Sequence, residues 1–101
     1  MHIRTSIKDQ TAVMHIAGRF GINGFSYFRE TCDMQLLLHG VTSLEIDISG
    51  VVSFNSSALG MLLLARERAK TSGKELQLSN LNENMLHVFR TANFHRLFTI
   101  V

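Results

Sequence analysis

Proline and tryptophan are absent from the 101 residues, cysteine occurs once, and no long stretch of like charge or of apolar residues is present. Each absence removes a class of protein. Cys32 has no second cysteine to pair with, which excludes an intrachain disulfide framework and points to a reducing, cytoplasmic setting. Ten Lys and Arg against eight Asp and Glu leave a scattered net charge of +2, so the basic run expected of a nucleic-acid or anionic-membrane binder is missing. The longest apolar stretch, Ala58 to Ala65, is far shorter than the about 20 residues that cross a bilayer, so direct membrane insertion is not expected. Met1 to Gln10 carries Arg4, Lys8 and Asp9 in place of the apolar core of a signal peptide, and is expected to begin the fold. With no linker-like tract and no repeat, residues 1–101 are expected to form a single domain, too short for a second one holding an active site.

Catalytic constellations are also missing. There is no phosphate-binding Gly-x-x-x-x-Gly-Lys-Ser/Thr, no Gly-x-Gly-x-x-Gly, no Cys-x-x-Cys, no His-Glu-x-x-His and no Gly-x-Ser-x-Gly. His2, His15, His39, His87 and His95 fall in different elements at no ligand spacing, so neither a metal nor another cofactor is expected. Cys32 lies among helical core positions and reads as a small apolar residue.

What is present is an alternation of strands and helices. Ile3 to Ile7 and Ala12 to Ala17 are β-branched runs separated by Lys8-Asp9-Gln10, which predicts an antiparallel hairpin. Phe25, Phe28, Cys32, Leu36 and His39 recur at helical intervals, with Asn23 or Ser26 as the cap and Gly40 as the stop. Val41 to Ser49 alternates, with Leu44, Ile46 and Ile48 on one side and Ser43, Glu45 and Asp47 on the other, and predicts a strand followed by a short turn. A second helix is predicted over 55–72, a strand over 74–78, a third helix after an Asn80/Glu83 capping box, and a last strand over 97–101. The expected fold class is α/β: a mixed, mostly parallel sheet of four to five strands with an N-terminal antiparallel hairpin and three main helices.

The segment from Leu44 to Gly60 carries the most information. It leads from a buried strand into a helix opened by Asn55, Ser56 and Ser57, where unpaired backbone N–H groups would favour a phosphate on either hydroxyl. The simpler reading of an Asn-Ser-Ser at a helix start is that these serines only cap the helix. Ser57, Gly60, Met61, Leu64 and Arg68 form a stripe distinct from that of Ala58, Leu62, Ala65 and Ala69. That second stripe is either a docking face for a partner or a surface covered by the first helix or by a second copy.

Ile16-Ala-Gly-Arg-Phe20, Leu44-Glu-Ile-Asp-Ile-Ser49, Val52-Ser-Phe-Asn-Ser-Ser-Ala-Leu-Gly60 and Val88-Phe-Arg-Thr-Ala-Asn-Phe-His-Arg-Leu-Phe98 together resemble the STAS domain, in particular the single-domain anti-sigma factor antagonists. The resemblance spans Ala12 to Val101. In that family the middle block reads Asp-Ser-Ser-Gly/Ala-Leu-Gly, and its second serine is phosphorylated by a kinase-type anti-sigma factor, so the resemblance implies Ser57 as the acceptor, with Ser56 as the alternative. Two positions depart from the family: its Asp ahead of the serines is Asn55 here, and the Asp that often follows the Gly-Arg-Leu/Phe turn is Gly21.

The implied activity is a binding switch without catalysis by this chain. Unmodified, it would hold an anti-sigma factor that is also a serine kinase of the histidine-kinase-like ATPase type, and a PP2C-type phosphatase would reset it. The partner-binding residues would be Phe20, Gly21, Ile22, Asn23, Asn55, Ser56, Ser57, Gly60, Met61, Leu64 and Arg68, on a monomer or weak homodimer. The alternative from the same resemblance is a STAS-like structural or regulatory subunit of a transporter or signalling scaffold that is never phosphorylated.

Overall fold

The computed structural model describes residues 1–101. Strand β1 (His2–Lys8) turns back on β2 (Thr11–Phe20) through Asp9 and Gln10, with Asp9 in the left-handed region at φ 57°. Asp tolerates that conformation because its short polar side chain can hydrogen-bond locally. Then follow α1 (Phe25–Leu36), β3 (Ser43–Phe54), α2 (Ser56–Thr71), β4 (Glu75–Ser79), α3 (Glu83–Thr91) and β5 (Thr99–Ile100). The sheet order is β1-β2-β3-β4-β5, antiparallel between the first two strands and parallel thereafter. Strands added in one direction by crossovers of one hand put every connecting helix on the same side. The expected α/β architecture is therefore present, with five strands and three helices.

One face of the sheet is covered and the other is bare. Ala12, Met14, Ile16, Leu44, Ile46, Ile48 and Leu78 point under the helices and join a single core with Phe28, Cys32, Leu62 and Phe89. Ala58, Ala65 and Ala69 along α2 are buried, and their small side chains let that helix lie close to the strands. On the bare face the alternate residues are polar and hold one another. Glu45 accepts from Gln77 Nε2 at 2.6 Å and from the Ser79 hydroxyl at 2.8 Å. Asp47 accepts from His15, from Asn80 Nδ2 and from the Ser49 N–H.

Several boundaries differ from the sequence expectation, each for a local reason. The ladder between β2 and β3 continues past Ser49 to Phe54, through two register shifts, where a turn was expected. Gly50 permits the first: a Cβ there would meet Ala17 Cβ and the Ile16 carbonyl, both at 3.0 Å. The cap of α1 is Gly24, without a side-chain bond, because Ile22–Gly24 already form one 3-10 turn; neither Asn23 nor Ser26 caps it. The helix ends at Leu36, and the Leu36 carbonyl accepts from Lys74 Nζ at 2.6 Å. Asn82, not Asn80, caps α3, accepting from Met85 N at 2.8 Å, while Asn80 takes a left-handed φ of 62°. The last strand is cut to two residues by a 3-10 turn over Phe94–Arg96 that brings Phe94 and Phe98 onto Phe89.

Candidate docking and modification site

The parallel strands β2 and β3 end together at Phe20 and Phe54, and the chain leaves both at the edge where α2 begins. Asn55 is extended at φ −128° and ψ −176° and caps α2: its Oδ1 accepts from the Ser57 N–H at 3.0 Å and also from the Ser57 hydroxyl. One neutral amide oxygen thus fixes both the first turn and the rotamer of Ser57. Ser57 is half-buried, Ser56 is fully at the surface, and Gly60, one turn on, faces open space.

The two departures from the family pattern lie against each other. A Cβ on Gly21 would come within 3.1 Å of Asn55 Nδ2. A carboxylate at both positions would bring two like charges close together, whereas Asn55 and Gly21 leave this corner neutral. Beside it is a hollow of about 570 Å³ whose lining includes Arg19, Gly21, Ile22, Tyr27, Ser53 and Asn55. Tyr27 ties α1 to the sheet edge, its hydroxyl donating to the Ile3 carbonyl at 3.0 Å and accepting from the Ile3 N–H at 3.2 Å.

The proposed partner-binding set divides into three groups. Gly21, Ile22, Asn23, Asn55, Ser56, Ser57 and Gly60 cluster around the opening of α2, and Ile22 is 62% exposed. Phe20 and Met61, each 2% exposed, belong to the core instead. Phe20 stacks on Phe28 with ring centroids 5.4 Å apart, and Met61 is one of the largest fully buried side chains. Leu64 and Arg68 lie in a separate groove between α1 and α2, where Arg68 pairs with Asp33 at 3.1 Å. Met61 therefore faces the core, while Leu64 and Arg68 line the α1–α2 groove and not the opening of α2. Helical spacing identified the stripe but carried no information about which neighbour covers it.

An apolar residue at this edge escaped the sequence reading. Val52 is 80% exposed and sits in the last part of β3, at the second register shift with β2 and beside Ser53 in the chain. Its signal would have been visible had the β3 alternation been carried past Gly50 with one extra residue inserted. Cys32, by contrast, is where the spacing put it. Burial pushes its thiol up to about 12, with Asp33 adding to the shift and Arg68 opposing it, so it stays protonated and unreactive.

Comparison with known proteins adds independent findings. The family profile described as "Mlab, STAS domain" matches residues 3–101. A STAS-domain containing protein of Pseudomonas aeruginosa is 28% identical over 95 residues, covering 94% of this chain and 92% of its own. Among solved structures, an anti-sigma factor antagonist from Mycobacterium paratuberculosis superposes with a TM-score of 0.83 at 13% identity, over 98% of this chain and 83% of its own. The Bacillus cell-fate determinant SpoIIAA in its phosphorylated form gives 0.73 at 15% identity, over 99% and 91%. A sulfate transporter family protein from Wolinella succinogenes gives 0.75 at 13%, over 91% and 74%. At these identities the superpositions establish a shared fold.

Proposed function

The chain belongs to the STAS domain family, and from that membership we propose that it is an anti-sigma factor antagonist that docks through the opening of α2 and is switched off by phosphorylation of Ser57. The observation that carries the reading is the setting of that serine: half-buried at the first turn of a helix, its hydroxyl held by Asn55, one turn before the exposed Gly60 and on the helix that packs against the Ile22–Gly24 turn. The docking surface in this reading is the rim formed by residues 21–23, 52–53, 55–57 and 60.

The switch is local. A phosphoserine carries about −1.5 to −2 charges, and a helix start offers N–H groups and a partial positive charge to receive them. Asn55 Oδ1 cannot remain hydrogen-bonded to the modified oxygen, because both would be acceptors. Rotation of the amide would present Nδ2 to the phosphate, giving up the bond that Oδ1 accepts from the Ser57 N–H, a response that an aspartate could not make. The anion at the opening of α2 would have to be desolvated when a partner docks, and each 1.4 kcal/mol lost lowers affinity about tenfold. The kinase chemistry belongs to the partner, a histidine-kinase-like ATPase, and this chain supplies the acceptor hydroxyl. A PP2C-type phosphatase would reverse the modification.

Incubation with such a kinase and ATP, followed by intact mass and peptide mapping, tests the reading. One phosphate on Ser57 is expected, and a chain left unmodified by every kinase encoded beside it would refute the switch. The neutral corner of Asn55 and Gly21 favours a second reading, a STAS-like subunit of a transporter or scaffold that docks through the same rim without modification. Co-purification with an ABC ATPase and no phosphate on the protein recovered from cells would select that reading.

A further inference from the structure

The bare face of the sheet holds a hydrogen-bonded chain of three side chains from three strands. The Ser6 hydroxyl of β1 lies 2.9 Å from His15 Nε2 of β2, and His15 Nδ1 lies 2.8 Å from Asp47 Oδ2 of β3. The order of protons along the chain follows from the acceptor at its end. An ionised carboxylate can only accept, so Nδ1 carries a proton; in the neutral imidazole Nε2 is then left with its lone pair, and Ser6 donates. Asp47 is held ionised: burial works against this, but hydrogen bonds from Asn80, the Ser49 backbone, His15 and the Ser49 hydroxyl outweigh it and bring its pKa down to about 2. Asp47 Oδ1 is anchored separately by Asn80 at 2.8 Å and Ser49 N at 3.0 Å, which fixes the carboxylate and through it the imidazole plane.

We propose that Ser6 is a covalent modification site, a nucleophile that takes an acyl group from small activated donors with anionic leaving groups, with His15 as its general base and Asp47 as the residue that positions His15. The surroundings support the donor class. Ser6 is exposed and no wall encloses it, which admits small donors and selects no long acyl chain. Arg4 and Lys8, two residues to either side, point to the same face of β1 and supply positive charge for the leaving group. The β1 backbone offers N–H donors as well. Ile3 turns its N–H and C=O outward to Tyr27, so alternation turns the N–H groups of Thr5 and Ile7, which flank Ser6, to the same free edge.

The step balances within this set. The Ser6 proton moves to His15 Nε2 as Oγ bonds the acyl carbon. The bond from that carbon to the leaving group then breaks, the electron pair departs with the leaving group, and the proton on Nε2 passes to it or to solvent. Asp47 stays ionised and stabilises the imidazolium throughout. The chain is the acceptor of the group, and its base contributes about 10²- to 10⁴-fold over an ordinary serine.

The test uses the full chain with p-nitrophenyl acetate and with acetyl-CoA, reading chromophore or thiol release, intact mass and the modified peptide. One acetyl group on Ser6 per chain is expected. Ser6→Ala should abolish that adduct, and His15→Gln should slow it about 100-fold or more. Ser6→Cys, which keeps a nucleophile at the same place, should retain labelling. Arg4→Gln with Lys8→Gln should slow acetyl-CoA more than p-nitrophenyl acetate. If Ser6→Ala is labelled as fast as the parent, with the acetyl on lysines, His15 or the N-terminus, the proposal is overturned. Because Ser6 is exposed and its loss leaves the core untouched, that variant decides even if His15→Gln folds poorly.

Discussion

Successive residues of β3 enter two different environments. Leu44, Ile46 and Ile48 lie under the helices at 3% exposure or less, while Glu45 and Asp47 between them face away and are satisfied by other side chains. A serine belongs to each region, and the two are held differently. The Ser57 hydroxyl, at the rim of the covered face, gives its hydrogen bond to a neutral amide oxygen; the Ser6 hydroxyl, on the bare face, gives its bond to an imidazole. An amide oxygen orients a hydroxyl without making it a better nucleophile, so the proposed phosphorylation of Ser57 would need an enzyme brought by a partner. An imidazole supplies the base within the chain. The covered face thus provides the rigidity that presents Ser57, and the bare face provides polar chemistry that the fold does not need for its core.

The largest effect that would break this division is on stability. Phe89 is fully buried and meets the rings of Phe54, Phe94 and Phe98. Phe89→Ala should cost about 3–5 kcal/mol in urea denaturation, against about 0.5 kcal/mol or less for Ser6→Ala on the bare face. Equal costs would mean that the two faces are not energetically distinct. Next is binding. Ser57→Asp should weaken capture of the proposed anti-sigma partner by about 100-fold or more, roughly 3 kcal/mol, while Ser57→Ala should still bind. Val52→Ser should reduce the same affinity with unchanged stability, and Leu64→Ala should leave binding alone, because Leu64 lies in the α1–α2 groove. If Leu64→Ala were the damaging change and Val52→Ser the silent one, the docking rim would have been assigned to the wrong side of α2.

Acid sharpens the comparison from the other side. The Asp47 carboxyl falls from its ordinary 3.8 to about 2 in the folded chain. A depressed pKa stabilises the fold above the unfolded value and loses that contribution as pH drops through the folded one. Stability should therefore be level in this respect above about pH 4 and decline by about 2 kcal/mol between pH 4 and pH 2. In Asp47→Asn that part of the decline should be missing from denaturation midpoints measured across the same range.

The covered face was legible in the sequence because burial writes itself as periodicity. The alternation of Leu44, Ile46 and Ile48 and the spacing of Ala58, Leu62, Ala65 and Ala69 predicted both strand and helix, and their order predicted the sheet. The bare face was not legible in the same way. Ser6, His15 and Asp47 are separated by 9 and 32 residues and meet only through strand pairing, so no local spacing marks them. The burial of Met61 was hidden for a related reason: a helix pattern shows which residues share a side but not what lies against it. The extension of β3 was hidden by Gly50, whose bulge shifts the alternation by one and makes Val51 a core residue and Val52 an exposed one.

The smallest predicted effect concerns Gly60, which lies inside α2 with open space where a Cβ would be. Glycine in a helix interior costs about 0.5–1 kcal/mol relative to alanine, since it has more freedom to lose on folding. Gly60→Ala should therefore raise stability by about that amount, visible as a shift in the urea midpoint. Nothing in the chain's own packing requires the glycine. A partner backbone approaching the rim closely would require it, because an added methyl group would stand between the two surfaces. If Gly60→Ala stabilises the chain and weakens capture of the anti-sigma factor, the glycine is kept for the contact and the docking rim extends one turn along α2. If it stabilises the chain and leaves capture unchanged, the rim ends at Ser57, and docking depends on Ile22, Val52 and the Asn55 corner alone.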